Sequence, residues 1–276
     1  MQPASKGPIG VFDSGYGGLS ILRELRRVLP QYDYVFLGDN ARAPYGSRSF
    51  DVVYQFTRQT VERLFEMGCP LVLLACNTAS AKALRTIQQN DLPQWDASRR
   101  VLGIIRPTVE EVGDLTSTRH IGIFGTKGTV SSGSYPIEIA KFFPDVKVTG
   151  HACPMWVPLV ENGEFDSEGA DYFVKKDINA LLEEDPLIDM VILGCTHYPL
   201  LEAKIRHFMP KHVKVVSQGA IVANSLADYL ERHVDMRAKL TTGGSCQFLT
   251  TENPDMFRTA ASSFLAEEIV AQHVDL

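Results

Sequence analysis

Two short segments of this chain share one pattern, in which an aliphatic run leads directly into a cysteine, then into polar residues and the start of a helix. The segments are residues 71–80 and 190–199. A continuous aliphatic run of this length is typical of a parallel strand that is buried on both faces. Ligands of parallel sheets gather at the carboxyl ends of the strands. The pattern therefore predicts an α/β fold with Cys76 and Cys195 at the ends of two strands.

Each predicted cysteine position also lies near the amino end of a helix. The helix dipole favours an anion there, so we expect the pKa of each thiol to fall from about 8.5 towards neutrality. A cysteine after a buried strand can equally be a small core residue. Two matched copies favour a shared active site, because hydrogen-bonding residues follow both cysteines where a purely packed site would prefer apolar ones. These residues are Asn77, Thr78, Thr196 and His197.

Predicted strands and helices alternate along the whole chain, which favours two doubly wound α/β domains. Because the two cysteine segments fall in different halves, we expect the domains to be related by pseudo-symmetry. The first domain is expected to comprise residues 1–103 and 213–276 and to carry Cys76. The second is expected to comprise residues 104–212 and to carry Cys195.

Three further local predictions complete the fold. Residues 241–244 are predicted as a closing strand and residues 257–270 as a closing helix of the first domain. Residues 90–95, rich in polar residues and proline, are predicted as a surface connection.

Composition excludes several classes of protein. A net charge of −6, without a Lys- or Arg-rich stripe, argues against a nucleic-acid-binding surface. No apolar run approaches the length of a membrane span, and the first seven residues carry no apolar segment, so neither a signal peptide nor an anchor is expected. Five cysteines form an odd count without a paired framework, which suits a reducing compartment. We expect a cytoplasmic protein of two modest domains.

Two thiols contributed by two similar half-units suit acid–base chemistry on opposite faces of one small molecule, which inverts a carbon centre. Most amino-acid racemases use pyridoxal phosphate held by a lysine. We expect no such cofactor, because we expect no lysine in a comparable position at a strand end. We also expect no metal, because Cys195 and His197 form an isolated C-x-H without the repeated ligand spacing of zinc sites.

Five segments, in order, resemble the glutamate racemase family of the bacterial cell-wall pathway. They are residues 13–18 (DSGYGG), 39–46 (DNARAPYG), 75–80 (ACNTAS), 157–161 (VPLVE) and 194–199 (GCTHYP). The resemblance implies a cofactor-independent, two-base racemase that interconverts L- and D-glutamate for peptidoglycan synthesis. It also implies an active site between two α/β domains, and a homodimer.

The resemblance further implies the roles of individual residues. Cys76 and Cys195 would be the proton acceptor and donor, assisted by Asp13 and His197 respectively, with Glu161 near His197. One departure is Ser-Gln-Gly at residues 217–219, where the family more often has an aspartate; these residues are expected to lie away from the site. The implied substrate ligands are Asp13, Ser14, Pro44, Tyr45, Gly46, Asn77, Thr78, Thr126, Thr129, Thr196 and His197.

Three alternatives remain open. The first is a racemase of aspartate or a related acidic substrate in the same fold. The second is a Cys–His hydrolase that uses Cys195 and His197, although this reaction leaves Cys76 without a role and no oxyanion-hole motif is identifiable. The third is a non-catalytic protein that binds an acidic ligand or another protein.

Overall fold

The computed structural model of the chain describes residues 6–113 and 115–276. The expectation about the amino-terminal segment concerns mainly residues 1–5, which lie outside the described residues. The strands, in chain order, are β1 Ile9–Asp13, β2 Tyr34–Gly38, β3 Leu71–Leu74, β4 Arg100–Gly103, β5 His120–Gly125, β6 Lys147–Ala152, β7 Met190–Gly194, β8 Lys214–Val216, β9 Cys246–Thr250 and β10 Ala271–His273.

The helices cover these strands. They are α1 Leu19–Val28, α2 Phe50–Glu66, α3 Asn77–Lys82, α4 Leu84–Thr86, α5 Leu92–Trp95, α6 Ile105–Val112, α7 Lys127–Ser131, α8 Ser134–Phe142, α9 Trp156–Glu161, α10 Glu168–Glu184, α11 Glu202–Phe208, α12 Gly219–Arg232, α13 Val234–Arg237 and α14 Pro254–Leu265. Short 3₁₀ turns lie at Asn40–Arg42 and Tyr198–Leu201, and a π-helical turn at Ile87–Asp91. Within the described residues, no helix has the length and apolar character needed to cross a membrane.

Two parallel sheets are formed by the described strands. The first has the order β10-β9-β2-β1-β3-β4 and the second the order β6-β5-β7-β8. Strands β1, β2, β3 and β7 are buried along their whole length, as their aliphatic runs predict. In the first sheet β1 lies between β2 and β3, with β4 beyond β3. In the second sheet β5 lies in the same way between β6 and β7, with β8 beyond β7. This repeated order confirms the predicted pair of doubly wound, pseudo-symmetric units.

Register brings the functional segments to one edge of each sheet. In the first sheet Asp13 pairs with Gly38, and Phe12 pairs with Leu74, so the residues that follow β1, β2 and β3 emerge together. In the second sheet Gly125 pairs with Gly194. The segments after β5 and β7 are therefore also neighbours.

The closing elements differ from the sequence prediction. The strand lies at β9, Cys246–Thr250, rather than at residues 241–244, because Gly244 has a φ of +71° and turns the chain before the strand begins. The helix α14 ends at Leu265, and the chain then adds strand β10. Residues 90–95, predicted as a surface connection, are helical along their whole length.

Strand β8 bears on the domain division. Its residues pair with those of β7, Met190 with Lys214 and Ile192 with Val216, so β8 belongs to the second sheet. A boundary at residue 213 would separate this strand from its sheet. We propose instead that the chain returns to the first domain after β8, at about helix α12.

Candidate active site

A cavity of about 260 Å³ lies where the carboxyl ends of the two sheets face each other. Residues of both halves line it, and both Cys76 and Cys195 are among them. The other lining residues named in the sequence analysis are Ser14, Pro44, Tyr45, Gly46, Asn77, Thr78, Thr126, Glu161, Thr196 and His197. Asp13 and Thr129 do not line the cavity, but each contacts residues that do.

Cys76 is the residue directly before helix α3, and its sulfur caps the amino end of the helix. The Ala79 N–H donates to Sγ at 3.4 Å, and Sγ donates to Ser14 Oγ at 3.4 Å. Burial and the charge of Asp13 nevertheless raise the pKa of this thiol to about 12. The expected lowering of its pKa is therefore wrong, because desolvation outweighs the amides at the helix start. Cys76 is a protonated thiol at neutral pH.

Asp13 ends strand β1 and is fully buried. Its Oδ2 accepts from the Gly15 N–H at 3.0 Å, and its Oδ1 accepts from Thr196 Oγ1 at 3.4 Å. Burial raises the pKa of the carboxyl, while the nearby charge of His197 and the hydrogen bonds partly offset that rise. Asp13 thus connects the first half to the segment that carries Cys195.

His197 joins Cys195 to a carboxylate. Its Nδ1 lies 3.8 Å from Cys195 Sγ and its Nε2 lies 3.1 Å from Glu161 Oε1. Burial opposes protonation of the imidazole, but its bonds to Cys195 and Glu161 outweigh burial and raise its pKa to about 10. At neutral pH the ring is an imidazolium, which places a positive charge beside Cys195 Sγ. The two thiols therefore sit in electrostatically different surroundings.

Three threonine hydroxyls meet at the boundary between the halves. Thr78 Oγ1 lies 3.0 Å from Thr126 Oγ1 and 3.2 Å from Thr129 Oγ1, which are themselves 3.1 Å apart. Thr126 also caps helix α7 by accepting from the Thr129 N–H. Hydroxyls and amides of this kind can hold the carboxylates of a small acid without a metal.

The loop after β2 supplies another wall. The Tyr45 hydroxyl donates to Asp39 Oδ2, which also accepts from Arg42 Nε at 2.7 Å. Gly46 accepts at its carbonyl from the Gly128 N–H at 2.8 Å, and a Cβ at Gly46 would lie 2.7 Å from Thr126 Cβ. The glycine thus permits the close approach that links this loop to helix α7.

The expectation that residues 217–219 lie away from the site is wrong for Gln218, which bonds a residue of the cavity wall. Asn77 Nδ2 donates to Gln218 Oε1 at 2.6 Å, and Tyr135 Oη donates to Asn77 Oδ1 at 2.8 Å. Neither Gln218 nor Tyr135 was named as functional. The signal for Gln218 was available, because it follows a parallel strand at the same sheet edge as Cys195.

Lys127 also corrects an expectation. It directly follows Thr126 at the end of β5 and lines the cavity, so a lysine does occupy a strand-end position. Lys127 is exposed to solvent. The expectation that no lysine occupies such a position is therefore wrong.

A group of possible metal ligands lies beside the cavity. The ligand atoms of His151, Cys153 and Asp177 are all within 4.8 Å of one another, and Cys153 also lines the cavity. Burial raises the pKa of the Cys153 thiol well above its usual range. With a protonated thiol, the group links β6 to α10 through the 3.3 Å contact between His151 Nε2 and Asp177 Oδ1.

Comparison with known proteins agrees with this geometry. The Asp/Glu/Hydantoin racemase family model matches residues 16–226. The chain is 41% identical over 271 residues to the glutamate racemase of Roseobacter denitrificans. The alignment covers 95% of this chain and 97% of that protein.

Solved structures show the same relationship. The crystal structure of glutamate racemase isoform RacE1 from Bacillus anthracis is 34% identical, with a TM-score of 0.89 and 98% of each chain covered. The glutamate racemase of Francisella tularensis, solved in complex with D-glutamate, is 29% identical, with a TM-score of 0.86 and 98% of each chain covered. The chain therefore belongs to the glutamate racemase family within the Asp/Glu/Hydantoin racemases.

Proposed function

We propose that this protein interconverts L- and D-glutamate by proton transfer at Cα between Cys76 and Cys195, without an organic cofactor or a metal. The observation that carries the proposal is that the two thiols, each at the end of a buried strand of a different half, line one small cavity. A base on one wall can remove a proton from one face of a carbon, while an acid on the opposite wall delivers a proton to the other face.

In the L-to-D direction, Cys195 is the base and Cys76 the acid. The Cys195 thiolate takes the Cα proton of L-glutamate, leaving a carbanion, and the Cys76 S–H delivers its proton to the opposite face. The products are D-glutamate, a Cys195 thiol and a Cys76 thiolate. Proton exchange with solvent restores the starting state. The reverse direction uses Cys76 as the base and Cys195 as the acid.

The surroundings of the thiols suit the free protein to the L-to-D direction. The pKa of Cys76 is raised to about 12, which keeps this sulfur protonated, and the His197 imidazolium lies next to Cys195. Glu161 acts through His197, to which it is hydrogen-bonded, and Asp13 acts through Thr196 and through its charge near Cys76. We assign both as positioning residues.

The direct test is polarimetry of purified protein with each glutamate enantiomer and no added cofactor. We expect both enantiomers to reach a racemic mixture. Replacing either Cys76 or Cys195 by alanine is expected to abolish racemisation. Retention of full activity by either variant would exclude the two-thiol mechanism.

Deuterium incorporation tests the number of bases. In heavy water the product of inverted configuration should carry deuterium at Cα from the first turnover, while the remaining substrate stays mostly protiated. This follows because the acid and the base are different sulfurs. Substrate that exchanges as fast as product forms would instead indicate a single base.

Lys127 provides the test of cofactor independence. A Schiff-base cofactor would need this lysine. Because we propose that no such cofactor takes part, we expect Lys127→Met to retain racemisation. Dialysis against a chelator with hydroxylamine should also leave the activity intact. Loss of activity that returns only with added pyridoxal phosphate or metal would overturn this part of the proposal.

Aspartate is the principal alternative substrate. Glutamate is favoured because the full-length relatives described above are glutamate racemases. Parallel assays with the enantiomers of both amino acids distinguish the two, since a faster reaction with aspartate would reassign the substrate. A Cys–His hydrolase is less well supported, because it gives no role to the Cys76 side of the cavity.

The wider role follows the family. We propose that the protein acts in the cytoplasm as an isomerase that supplies D-glutamate for peptidoglycan synthesis, and hence for cell-wall biogenesis and cell shape. We further propose a homodimer, with glutamate as its ligand and no nucleic-acid or membrane partner. Depletion should produce a requirement for D-glutamate, and sedimentation should give twice the mass of the chain.

A further inference from the structure

Gln218 lies in the connection between β8 and α12 and takes part in a closed ring of buried side chains. Asn77 Nδ2 donates to Gln218 Oε1 at 2.6 Å, Gln218 Nε2 donates to Tyr135 Oη at 2.9 Å, and Tyr135 Oη donates to Asn77 Oδ1 at 2.8 Å. The exposed fraction of each of the three residues is 2%. Water therefore cannot readily replace these bonds, and breaking one leaves a buried polar group unpaired.

The direction of every bond in the ring is set by one backbone carbonyl. Gln218 Nε2 also lies 3.3 Å from the Ile104 carbonyl oxygen and 2.9 Å from Thr108 Oγ1. A carbonyl can only accept, and the Thr108 hydroxyl already donates to that carbonyl at 2.8 Å. The Gln218 amide must therefore present its nitrogen to Ile104 and Thr108.

The oxygen of the Gln218 amide must consequently face Asn77, which has to donate to it. Asn77 then presents its own oxygen to Tyr135, and a flipped Asn77 amide would place two oxygens against each other. One hydrogen of the Asn77 amide is used in the bond to Gln218. Among the described residues, the second hydrogen has no protein acceptor, although Asn77 lines the cavity.

We propose that Gln218 is a positioning residue that fixes the amide of Asn77, so that its free N–H is available to a carboxylate oxygen of the amino-acid substrate. This inference rests on the proposed racemase function. Asn77 is the first residue of helix α3 and adjoins Cys76, whereas Tyr135 and Thr108 belong to helices α8 and α6. The ring thus also holds the start of α3 against the helices of the other half.

Gln218→Met tests the proposal, because methionine is similar in volume but makes none of these hydrogen bonds. We expect KM for both enantiomers to rise about tenfold, with a smaller change in kcat, since a hydrogen bond to a charged group is lost or misdirected. Tyr135→Phe frees the Asn77 oxygen and should change KM in the same direction.

Ser217→Ala is the matched control. Ser217 is the adjacent residue in the same connection, but its hydroxyl donates to Glu202 and takes no part in the ring. We expect its KM to remain that of the wild type. An equal rise in KM for Ser217→Ala, or an unchanged KM for Gln218→Met, would overturn the proposal.

A readout independent of activity is hydrogen exchange by NMR of the one Asn77 side-chain N–H that donates to Gln218, as distinct from the N–H that faces the cavity; its signal is assigned by comparison with Asn77→Asp. Exchange should be slow in the wild type and at least tenfold faster in Gln218→Met. Fast exchange in both proteins would overturn the positioning role even if the wild type is active. Conversely, protection in the wild type without racemisation of glutamate would refute the proposed function while leaving the ring established.

Discussion

His197 is the residue on which the electrostatic state of the Cys195 side depends. It is buried, yet its pKa is raised from 6.5 to about 10, because the bonds to Cys195 and Glu161 outweigh the cost of burying a charge. A histidine with a raised folded-state pKa stabilises the fold fully below its unfolded pKa. The stabilisation is lost as the pH rises through the folded-state value.

This linkage predicts a pH-dependent difference between the wild type and Glu161→Gln. Glutamine can keep a hydrogen bond to His197 but carries no charge, so the pKa of His197 should move back down. The free energy of unfolding of the wild type should therefore exceed that of the variant by a margin that is largest near pH 6 and shrinks towards pH 10. Urea denaturation at intervals across this range measures it.

Groups unrelated to Glu161 titrate alike in both proteins and cancel in the difference. A margin that grows with pH between 6 and 10 would contradict the assignment of His197 as the imidazolium partner of Glu161.

Gly17 shows how closely the backbone packs against this histidine. A Cβ at this position would lie 2.5 Å from both His197 Nδ1 and Thr196 Oγ1, well inside contact distance. We expect Gly17→Ala to displace the imidazole and to lower kcat/KM by about a hundredfold. Overpacking should also cost about 1–3 kcal/mol of stability.

Gly15→Ala is the matched control for Gly17→Ala. Its added Cβ would meet Glu161 Oε1 at 3.4 Å, an ordinary contact. Activity close to wild type is expected for this variant. Similar losses in both alanine variants would show that the turn after β1, rather than the approach to His197, determines the effect.

At the residue scale, the local sequence predicted site residues where polar or thiol side chains directly follow the end of a strand. Cys76, Cys195 and His197 were found because unusual polar residues interrupt aliphatic runs. Gln218 also follows a strand end, but its bond to Asn77, which is 141 positions earlier in the chain, was not predictable from local sequence. The pKa of Cys76 was also mispredicted, since local sequence reveals the helix start but not the depth of burial.

At the element scale, the loop after β2 is held by the helices that it faces. Lys82, at the end of α3, donates from Nζ to the Arg48 carbonyl at 2.8 Å, and the Gly128 N–H of α7 donates to the Gly46 carbonyl at 2.8 Å. Lys82 is buried, and its burial lowers its pKa. These two bonds fix the wall of the cavity that contains Tyr45 and Gly46.

Lys82→Met should release one side of this loop. A bond from a charged donor to a carbonyl is worth about 1.5–3 kcal/mol, so we expect a loss of stability of about that size together with a higher KM for glutamate. Chemical denaturation and steady-state kinetics measure the two effects.

Lys141→Met on α8 provides the comparison, because Lys141 forms an exposed ion pair with Glu138 that should contribute at most about 1 kcal/mol. An unchanged KM in Lys82→Met would mean that the loop keeps its position without this bond.

Element type was predictable wherever burial on both faces produced an aliphatic run, as in β3 and β7. The closing strand β9 was misplaced because its Cys246-Gln247 start is partly exposed and lacks such a run. The predicted strand at residues 241–244 ends in Gly244, whose φ of +71° turns the chain before β9 begins. The pairing of β9 with β2 identifies the actual strand.

At the scale of the whole molecule, the two halves repeat one strand order but place different groups beside their thiols. The halves are joined directly at the site, where Ser20 Oγ donates to the Thr196 carbonyl at 3.0 Å and Thr196 bonds Asp13. The ring of Phe264, from the closing helix α14, packs edge-on against His197 at 5.9 Å. The alternating pattern predicted two doubly wound units, whereas the order of their strands and these contacts between the halves come from the structure.

This chemical inequality predicts unequal effects on the two directions of reaction. Asp13 raises the pKa of Cys76, whereas His197 supplies a positive charge next to Cys195. We expect His197→Asn to lower kcat most with L-glutamate, because Cys195 is then the base. Asp13→Asn should lower kcat most with D-glutamate, because Cys76 is then the base.

The equilibrium constant between enantiomers is unity, so kcat/KM must fall by the same factor in both directions for each variant. Any directional difference in kcat must therefore be matched by one in KM. Full progress curves from each pure enantiomer measure both constants, and the two curves must end at zero rotation. Equal changes of kcat in both directions for both variants would show that Asp13 and His197 act on the cavity as a whole rather than on the thiols beside them.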